Sequence, residues 1–151
     1  MEFQEAVNIC FKKIGEKKIM ALASSVEDQV MIRNVSCIIK DRRIFFKTDR
    51  NFRKTKQLLT NPNVAICYNG VQIEGTALVH GAVVQPKNQF FQELYEAYWK
   101  YSFTSYAHKK DEILVEIYPK VIEIWDQDEQ NNGFQILIDI KGKDAKVFEY
   151  D

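Results

Sequence analysis

The sequence predicts a mainly β protein with three helices, built on an antiparallel β-barrel of six or seven strands. Short apolar or alternating segments are joined by tight polar turns, which favours antiparallel pairing of consecutive strands. The segment 71–84 is long for a strand and contains two interior glycines, as expected where barrel strands bend. With 151 residues, 46% hydrophobic and 28% charged, the composition is typical of one globular domain spanning residues 1–151.

The first half of the chain predicts one helix, three strands and a second, shorter helix. Residues 2–15 repeat apolar side chains at helical spacing as far as Gly15. The three strands, separated by polar turns, are expected over 19–25, 30–40 and 44–47. The short helix is expected over 52–59, because Asn61-Pro62 stops it.

The second half predicts a hairpin, a long aromatic helix and further strands. Asn69-Gly70 predicts a type I′ turn between strands 64–68 and 71–84, in which Gly75 and Gly81 indicate bulges. The helix over 86–101 carries two adjacent aromatic stripes, and we expect the second stripe to be exposed and covered by another subunit. Strand segments are expected at 113–118 and 121–125 on either side of Pro119, with a last strand at 134–140.

Composition also excludes several classes of protein. No stretch of about 18 apolar residues occurs, so we expect no membrane span, and the N-terminal segment does not resemble a signal peptide. Cys10, Cys37 and Cys67 are odd in number and lie in apolar patterns, which predicts buried free thiols in a reducing cytoplasm. His80 and His108 are too isolated in the sequence to indicate a metal site.

Charge is balanced overall but concentrated locally. Residues 40–56 hold eight basic side chains against two acidic ones, although the formal net charge of the chain is zero. This distribution favours a local anion site over general binding of polyanions.

Arg33 and the short helix are the candidate parts of that anion site. Arg33 shares its strand face with apolar residues, so it needs either an anionic ligand or an internal ion pair. Arg53 and Lys54 crowd the start of the short helix, where cations oppose the helix dipole unless an anion binds there. A solvated basic face is the alternative. Thr48 precedes the helix and could cap it or bind a phosphate.

Two further polar features and one absence bear on function. Gln72 follows the Asn69-Gly70 turn, and its amide suits a ring edge that both donates and accepts hydrogen bonds, although an exposed strand residue is the simpler interpretation. Trp99 and Trp125 are more typical of a core or an interface than of a cofactor stack. Because no phosphate-binding loop, nucleophile elbow or metalloprotease motif occurs, any enzyme activity is expected to depend on a bound cofactor.

The order and spacing of these residues resemble a known family over about residues 3–126. The segments that carry the resemblance are Arg33-Asn34-Val35-Ser36, Ile44-Phe45-Phe46-Lys47-Thr48, Arg53-Lys54, Asn61-Pro62-Asn63-Val64 and Gln72-Ile73-Glu74-Gly75. They resemble the pyridoxamine 5′-phosphate oxidase-like FMN-binding split barrels. In length and layout the chain is most similar to small bacterial members of the NimA/NimC type, which are linked to nitroimidazole reduction.

The resemblance implies a homodimer with two FMN molecules in grooves at the subunit interface. It implies that the flavin phosphate is held by Arg33, Arg53, Lys54 and Thr48. It also implies that Val35, Ser36 and Lys47 line the flavin ring or ribityl chain, that Gln72 contacts the ring's polar edge, and that Trp125 approaches the flavin of the partner subunit.

The chain also departs from the family pattern. It has no arginine after Arg53, whereas true pyridoxamine phosphate oxidases grip their substrate with a C-terminal Arg-rich segment. Phe52 replaces the small residue that usually precedes the Arg-Lys pair. We therefore do not expect vitamin B6 oxidation.

The expected function is that of an FMN-dependent oxidoreductase of a small molecule, of nitroimidazole type or another, with NAD(P)H as electron donor. The alternative is a non-enzymatic flavin- or haem-binding protein, in which His80 or His108 would be the haem ligand. A third interpretation, binding of single-stranded nucleic acid by the basic segment and nearby phenylalanines, is least favoured. No nucleic-acid or membrane partner is expected.

Overall fold

A computed structural model describes residues 1–101 and 108–150, and these form a mainly antiparallel β structure with helices. In chain order the elements are α1 (Phe3–Ile14), β1 (Lys17–Val26), β2 (Gln29–Lys40), β3 (Arg43–Asp49), α2 (Arg53–Thr60), β4 (Asn63–Tyr68), β5 (Val71–Ala82), a 3₁₀ turn (Pro86–Asn88), α3 (Gln89–Tyr98), β6 (Glu112–Gln127), β7 (Gly133–Asp139) and β8 (Asp144–Tyr150). Within the described residues no helix is long and apolar enough to cross a membrane.

The strands close into the predicted barrel. Neighbouring strands follow the order β3-β2-β1-β4-β5-β6-β7-β8, and a further pairing joins β3 to β6. Six strands therefore form a closed antiparallel barrel, while β7 and β8 extend the sheet beyond it. The described sheet has eight strands, whereas the sequence predicted six or seven. The strand that the sequence did not predict is β8.

Strand β6 is continuous through Pro119, where the sequence suggested two segments. Pro119 lies opposite Gly75, and the register between β5 and β6 shifts there. A proline is tolerated at such an irregularity because the ladder hydrogen bond it cannot donate is already interrupted. A second register shift lies between Val79 and Ala82 and includes Gly81, which has a φ of 78°. Both predicted glycine bulges are confirmed.

The hairpin between β4 and β5 is also confirmed, but the predicted turn type is wrong. Of the two turn residues, Asn69 has a φ of 44° and Gly70 lies outside the left-handed region. Gly70 is required for a different reason. A Cβ atom at this position would lie 2.4 Å from the backbone oxygen of Trp125, so no larger residue fits without moving β6.

Two apolar clusters stabilise the molecule. The larger one fills the barrel and includes one face of α1, with Ala6, Cys10 and Ile14 fully buried. The smaller one lies outside the barrel, where Phe91 and Tyr95 of α3 cover Phe45. Burial of these side chains supplies most of the free energy that holds the helices to the sheet.

Two sequence predictions about exposure are corrected by this packing. Neither aromatic stripe of the third helix is exposed: Phe91 and Tyr95 are buried in the smaller cluster, and the other members of the two stripes pack partly buried against it, namely Phe90, Leu94, Tyr98 and Trp99. Cys10 and Cys37 are buried as predicted, but Cys67 is exposed. Cys67 lies on β4 next to buried Ile66, so strand alternation turns its side chain to the outer face.

Candidate functional site

A groove of about 530 Å³ lies between β2, β3 and the start of α2. Five residues that the sequence singled out line it: Val35, Ser36, Lys47, Thr48 and Lys54. These residues come together because β2 and β3 form one hairpin and α2 follows β3 after a short loop. The remaining lining residues are Asn34, Asp49, Phe52, Tyr95, Lys109 and Glu112.

Two neighbouring cations, Lys54 in the lining of the groove and Arg33 beside it, make this part of the site positively charged. Arg33 is half-buried on β2, and Lys54 is half-buried in the first turn of α2. Burial and, less strongly, the neighbouring charge of Arg33 lower the pKa of the Lys54 ammonium to about 8. Among the described residues neither cation forms an ion pair with a carboxylate. The internal ion pair that was one interpretation of Arg33 is therefore not seen in this part of the chain.

The start of α2 adds backbone donors to the same site. Its N-cap residue, Phe52, makes no side-chain capping hydrogen bond. Thr48 does not cap the helix: its buried hydroxyl is 2.8 Å from the hydroxyl of Thr55. Arg53, the first residue of α2, is exposed. Free backbone N–H groups and nearby cations at a helix N-terminus together favour an anion.

A carboxylate that the sequence analysis missed also faces the groove. Glu112 begins β6, and its Oε1 atom lies 2.9 Å from the Nζ atom of Lys47. The pairing of β3 with β6 brings the two residues together although 65 positions separate them. No local pattern in the sequence signals such a contact.

Gln72 and Trp125 lie apart from the groove, near the turn between β4 and β5. Gln72 is exposed on β5, and Trp125 is 49% exposed on β6. Tyr150 of β8 stacks on the indole of Trp125, with ring centroids 5.2 Å apart and planes inclined by 25°. The nine predicted residues therefore form two groups, with Arg33 and Arg53 beside the groove and Gln72 and Trp125 distant from it.

A row of paired residues on the outer face of the barrel connects the two groups. Asn34 at the groove pairs with Ala21, Ala21 pairs with Cys67, and Cys67 pairs with Gln72. Three strand spacings make this row about 14 Å long. Because Ala21 and Cys67 carry small side chains, the surface between the groove and Gln72 is shallow.

His80 lies away from the groove, and His108 lies next to it. His80 places its Nε2 atom 2.8 Å from Oε1 of Glu116, and Arg43 donates two hydrogen bonds to the same carboxylate. Burial alone would raise the pKa of Glu116, but the hydrogen bonds from Arg43 and His80 hold it below the ordinary value. His108 is half-buried and packs edge-on against Tyr95.

A closed six-strand antiparallel barrel with a cationic groove beside one short helix defines the class of protein: a small β-barrel suited to an anionic small ligand. Residues 6–126 match the family model of pyridoxamine 5′-phosphate oxidase. The chain therefore belongs to this family, as its sequence motifs indicated. No curated protein shows significant sequence similarity to it.

Solved structures with the same fold are distant in sequence. A pyridoxamine 5′-phosphate oxidase-related, FMN-binding protein from Nostoc punctiforme is 12% identical, with a TM-score of 0.62 over 100% of this chain and 97% of that one. A NimC/NimA family protein from Clostridium acetobutylicum is 15% identical, with a TM-score of 0.54 over 98% and 92%. An FAD-binding protein from Mesorhizobium loti is 10% identical, with a TM-score of 0.61 over 76% and 90%. At such low sequence identities, the similarity to these structures shows a shared fold and nothing more.

Proposed function

We propose that the protein is a single-domain, homodimeric FMN-binding flavoprotein of the cytoplasm that acts as an oxidoreductase on a small molecule. The observation that carries this proposal is the pair of half-buried cations, Arg33 and Lys54, beside a groove that several other predicted residues line. Family membership and the FMN- and FAD-binding proteins of the same fold support a flavin as the ligand.

The site fits the phosphate end of FMN. Two like charges that lie close together and partly out of water disfavour the ligand-free groove, in line with the pKa of Lys54, which burial and the charge of Arg33 lower. A phosphate carries about −1.5 to −2 charges near neutral pH and removes this repulsion. The uncapped first turn of α2 and the exposed guanidinium of Arg53 supply further donors.

The outer face of the barrel suits the remainder of the cofactor. The shallow row through Ala21 and Cys67 gives an extended ligand a path from the groove to Gln72. We assign the polar edge of the flavin ring to the Gln72 amide, which both donates and accepts. Val35, Ser36 and Lys47 border the path at its groove end.

An exposed apolar face supports the homodimer, in place of the helix that the sequence suggested. Ile19, Val30 and Ile32 are 52%, 72% and 66% exposed on the outer face of β1 and β2. Large apolar residues clustered in this way are typical of an interface. The patch adjoins the row to Gln72, because Ile32 pairs with Ala23 and Asn34 pairs with Ala21. A second copy on this face would enclose the flavin and could bring its Trp125 to the ring.

Bound flavin would supply hydride or electron transfer, while the chain binds the cofactor, orients it and excludes water from one side. NAD(P)H is the proposed electron donor. The proposed acceptor is a small molecule, with nitroaromatic compounds of the nitroimidazole type as the first class to test because a NimC/NimA family protein shares the fold.

The absorption spectrum of the purified protein and calorimetric titration of the flavin-free protein with FMN test this proposal. We expect the two visible bands of an oxidised flavin, and FMN binding tighter than riboflavin binding because riboflavin lacks the phosphate. A Soret band would indicate haem instead. A colourless protein that FMN does not reconstitute would contradict the proposal.

The shared site has its own test. Light scattering and flavin fluorescence across a dilution series should show dimers that lose FMN as they dissociate. Ile32→Lys should shift that dissociation to higher protein concentration, whereas Val84→Lys, at another exposed apolar position off this face, should not. A monomer that keeps full FMN affinity would contradict the dimeric site.

A further inference from the structure

Lys47 and Glu112 form an ion pair that is largely removed from water, in the wall of the groove. Their side chains are 7% and 14% exposed, and the Nζ and Oε1 atoms are 2.9 Å apart. Lys47 lies on β3 and Glu112 on β6, the two strands whose pairing closes the barrel. Both residues line the groove.

Each partner of this pair is fixed by a further contact. Oε1 of Glu112 also accepts a hydrogen bond of 2.7 Å from the backbone N–H of Lys109. The ammonium of Lys47 lies 4.7 Å from the ring centroid of Tyr95, within the range of a cation–π interaction. The two charges therefore occupy defined positions relative to a ligand in the groove.

Glu112 differs from the other carboxylate that lines the groove. Asp49 accepts a hydrogen bond from the backbone N–H of Asn51 and so stabilises the loop before α2. Glu112 instead opposes the positive charge of Lys47 in the wall of the groove. Lys54 and Arg33, farther along the same site, have no such counter-charge among the described residues.

We propose that Glu112 is a specificity-determining residue that fixes Lys47 in place and offsets its charge, thereby limiting the affinity of the groove for the anionic end of its ligand. The inference rests on the proposed flavin function, in which that end is the FMN phosphate. A buried ion pair contributes little net stability compared with apolar residues of the same size, so stability alone does not account for this pair.

Opposite effects of the two partners are the distinguishing expectation. Glu112→Gln keeps the oxygen that accepts from Lys47 and Lys109 but removes the charge, so this carboxylate no longer offsets the attraction of Lys47 for the phosphate. By calorimetry we expect roughly 5- to 20-fold tighter FMN binding, since charges shielded from solvent interact strongly over several ångströms. Lys47→Met should weaken FMN binding by a similar factor. The double variant should lie within about threefold of the unmodified protein because the two effects cancel.

Riboflavin and inorganic phosphate complete the experiment. Riboflavin affinity should change by a smaller factor than FMN affinity in every variant, because Lys47 also borders the path of the ribityl chain, whereas phosphate affinity should follow the FMN pattern. Weaker FMN binding in both single variants would overturn the inference, because an ion pair that only holds the groove in shape gives losses of the same sign. Equal shifts for riboflavin and FMN would also overturn it.

Thermal unfolding of each variant shows whether it folds. If Glu112→Gln does not fold, the double variant still decides, since FMN affinity as low as that of Lys47→Met alone would overturn the inference. Failure of the unmodified protein to bind any flavin contradicts the proposed function instead, and the phosphate titrations then still test the role of Glu112.

Discussion

Two clusters of buried charge on the same barrel are organised in opposite ways. In the Glu116 cluster a buried carboxylate receives two hydrogen bonds from Arg43 and one contact from His80, so the charge of Arg43 is matched by an anion. In the Arg33–Lys54 cluster two cations lie together, and neither forms an ion pair with a carboxylate of the described residues. The charges of the first cluster are matched within the chain, whereas those of the second are matched only when an anionic ligand binds. Matched charge thus indicates a structural role, and unmatched charge indicates a binding site.

Removal of the Glu116 carboxylate should give the largest effect and should appear in stability. Glu116→Ala leaves Arg43 and His80 without their acceptor and opens a cavity beside buried Phe45, so we expect the free energy of unfolding to fall by about 2–4 kcal/mol. Chemical denaturation measures this change. FMN affinity of the folded variant should be unchanged, because the cluster does not line the groove.

Glu149→Ala is the matched control for this variant, since Glu149 is an exposed strand carboxylate. It should change stability by less than about 0.5 kcal/mol. Loss of FMN affinity in Glu116→Ala without loss of stability would reverse the roles assigned to the two clusters.

Removal of Arg33 should instead weaken FMN binding and leave the stability of the protein intact. Arg33→Ala deletes a charge-assisted hydrogen bond to phosphate, so FMN binding should weaken by about 1.5–3 kcal/mol in calorimetric titration. The flavin-free protein should be at least as stable as before, because the repulsion of Lys54 is relieved. Riboflavin, which lacks the phosphate, should bind this variant as it binds the unmodified protein. Equal losses for the two ligands would exclude a phosphate contact.

The difference between the clusters also explains why one of them could be predicted from the sequence and the other could not. The unmatched cluster was predictable because its residues lie close in sequence and break local rules: Arg33 on an apolar strand face, and cations at the start of a helix. The matched cluster was not, because Arg43, His80 and Glu116 come from three strands whose pairing is non-local. Glu112 was missed for the same reason.

The fold shows the same division between local and non-local information. The strands that form the barrel were predictable from tight turns and alternating patterns, and their bends from Gly75 and Gly81. Strand β8 was missed because only Ala145 of its seven residues is buried, so its pattern scarcely differs from that of a polar tail. The exposed face of β1 and β2 was missed because the burial of alternate positions depends on which partner strand or helix covers them.

The smallest effect we predict is a pH dependence confined to the unmatched cluster. The pKa of Lys54 in the flavin-free protein is about 8, below the ordinary lysine value of 10.5, because burial and Arg33 disfavour its charged form. A bound phosphate favours that charged form and raises the pKa. FMN affinity should therefore be constant from about pH 7 to 8 and then fall by up to about tenfold per pH unit, with uptake of a proton on binding.

Stability of the flavin-free protein should change in the opposite direction. Since the unfolded chain holds the Lys54 proton up to about its ordinary pKa, the Lys54 contribution to stability increases as pH rises from about 8 to 10.5.

Calorimetry at pH 7, 8 and 9, in buffers of different ionisation enthalpy, measures both the FMN affinity and the number of protons taken up on binding. Lys54→Met should bind FMN more weakly, without the proton uptake. An identical pH dependence for riboflavin, or its persistence in Lys54→Met, would show that another group titrates and that Lys54 does not contact the phosphate.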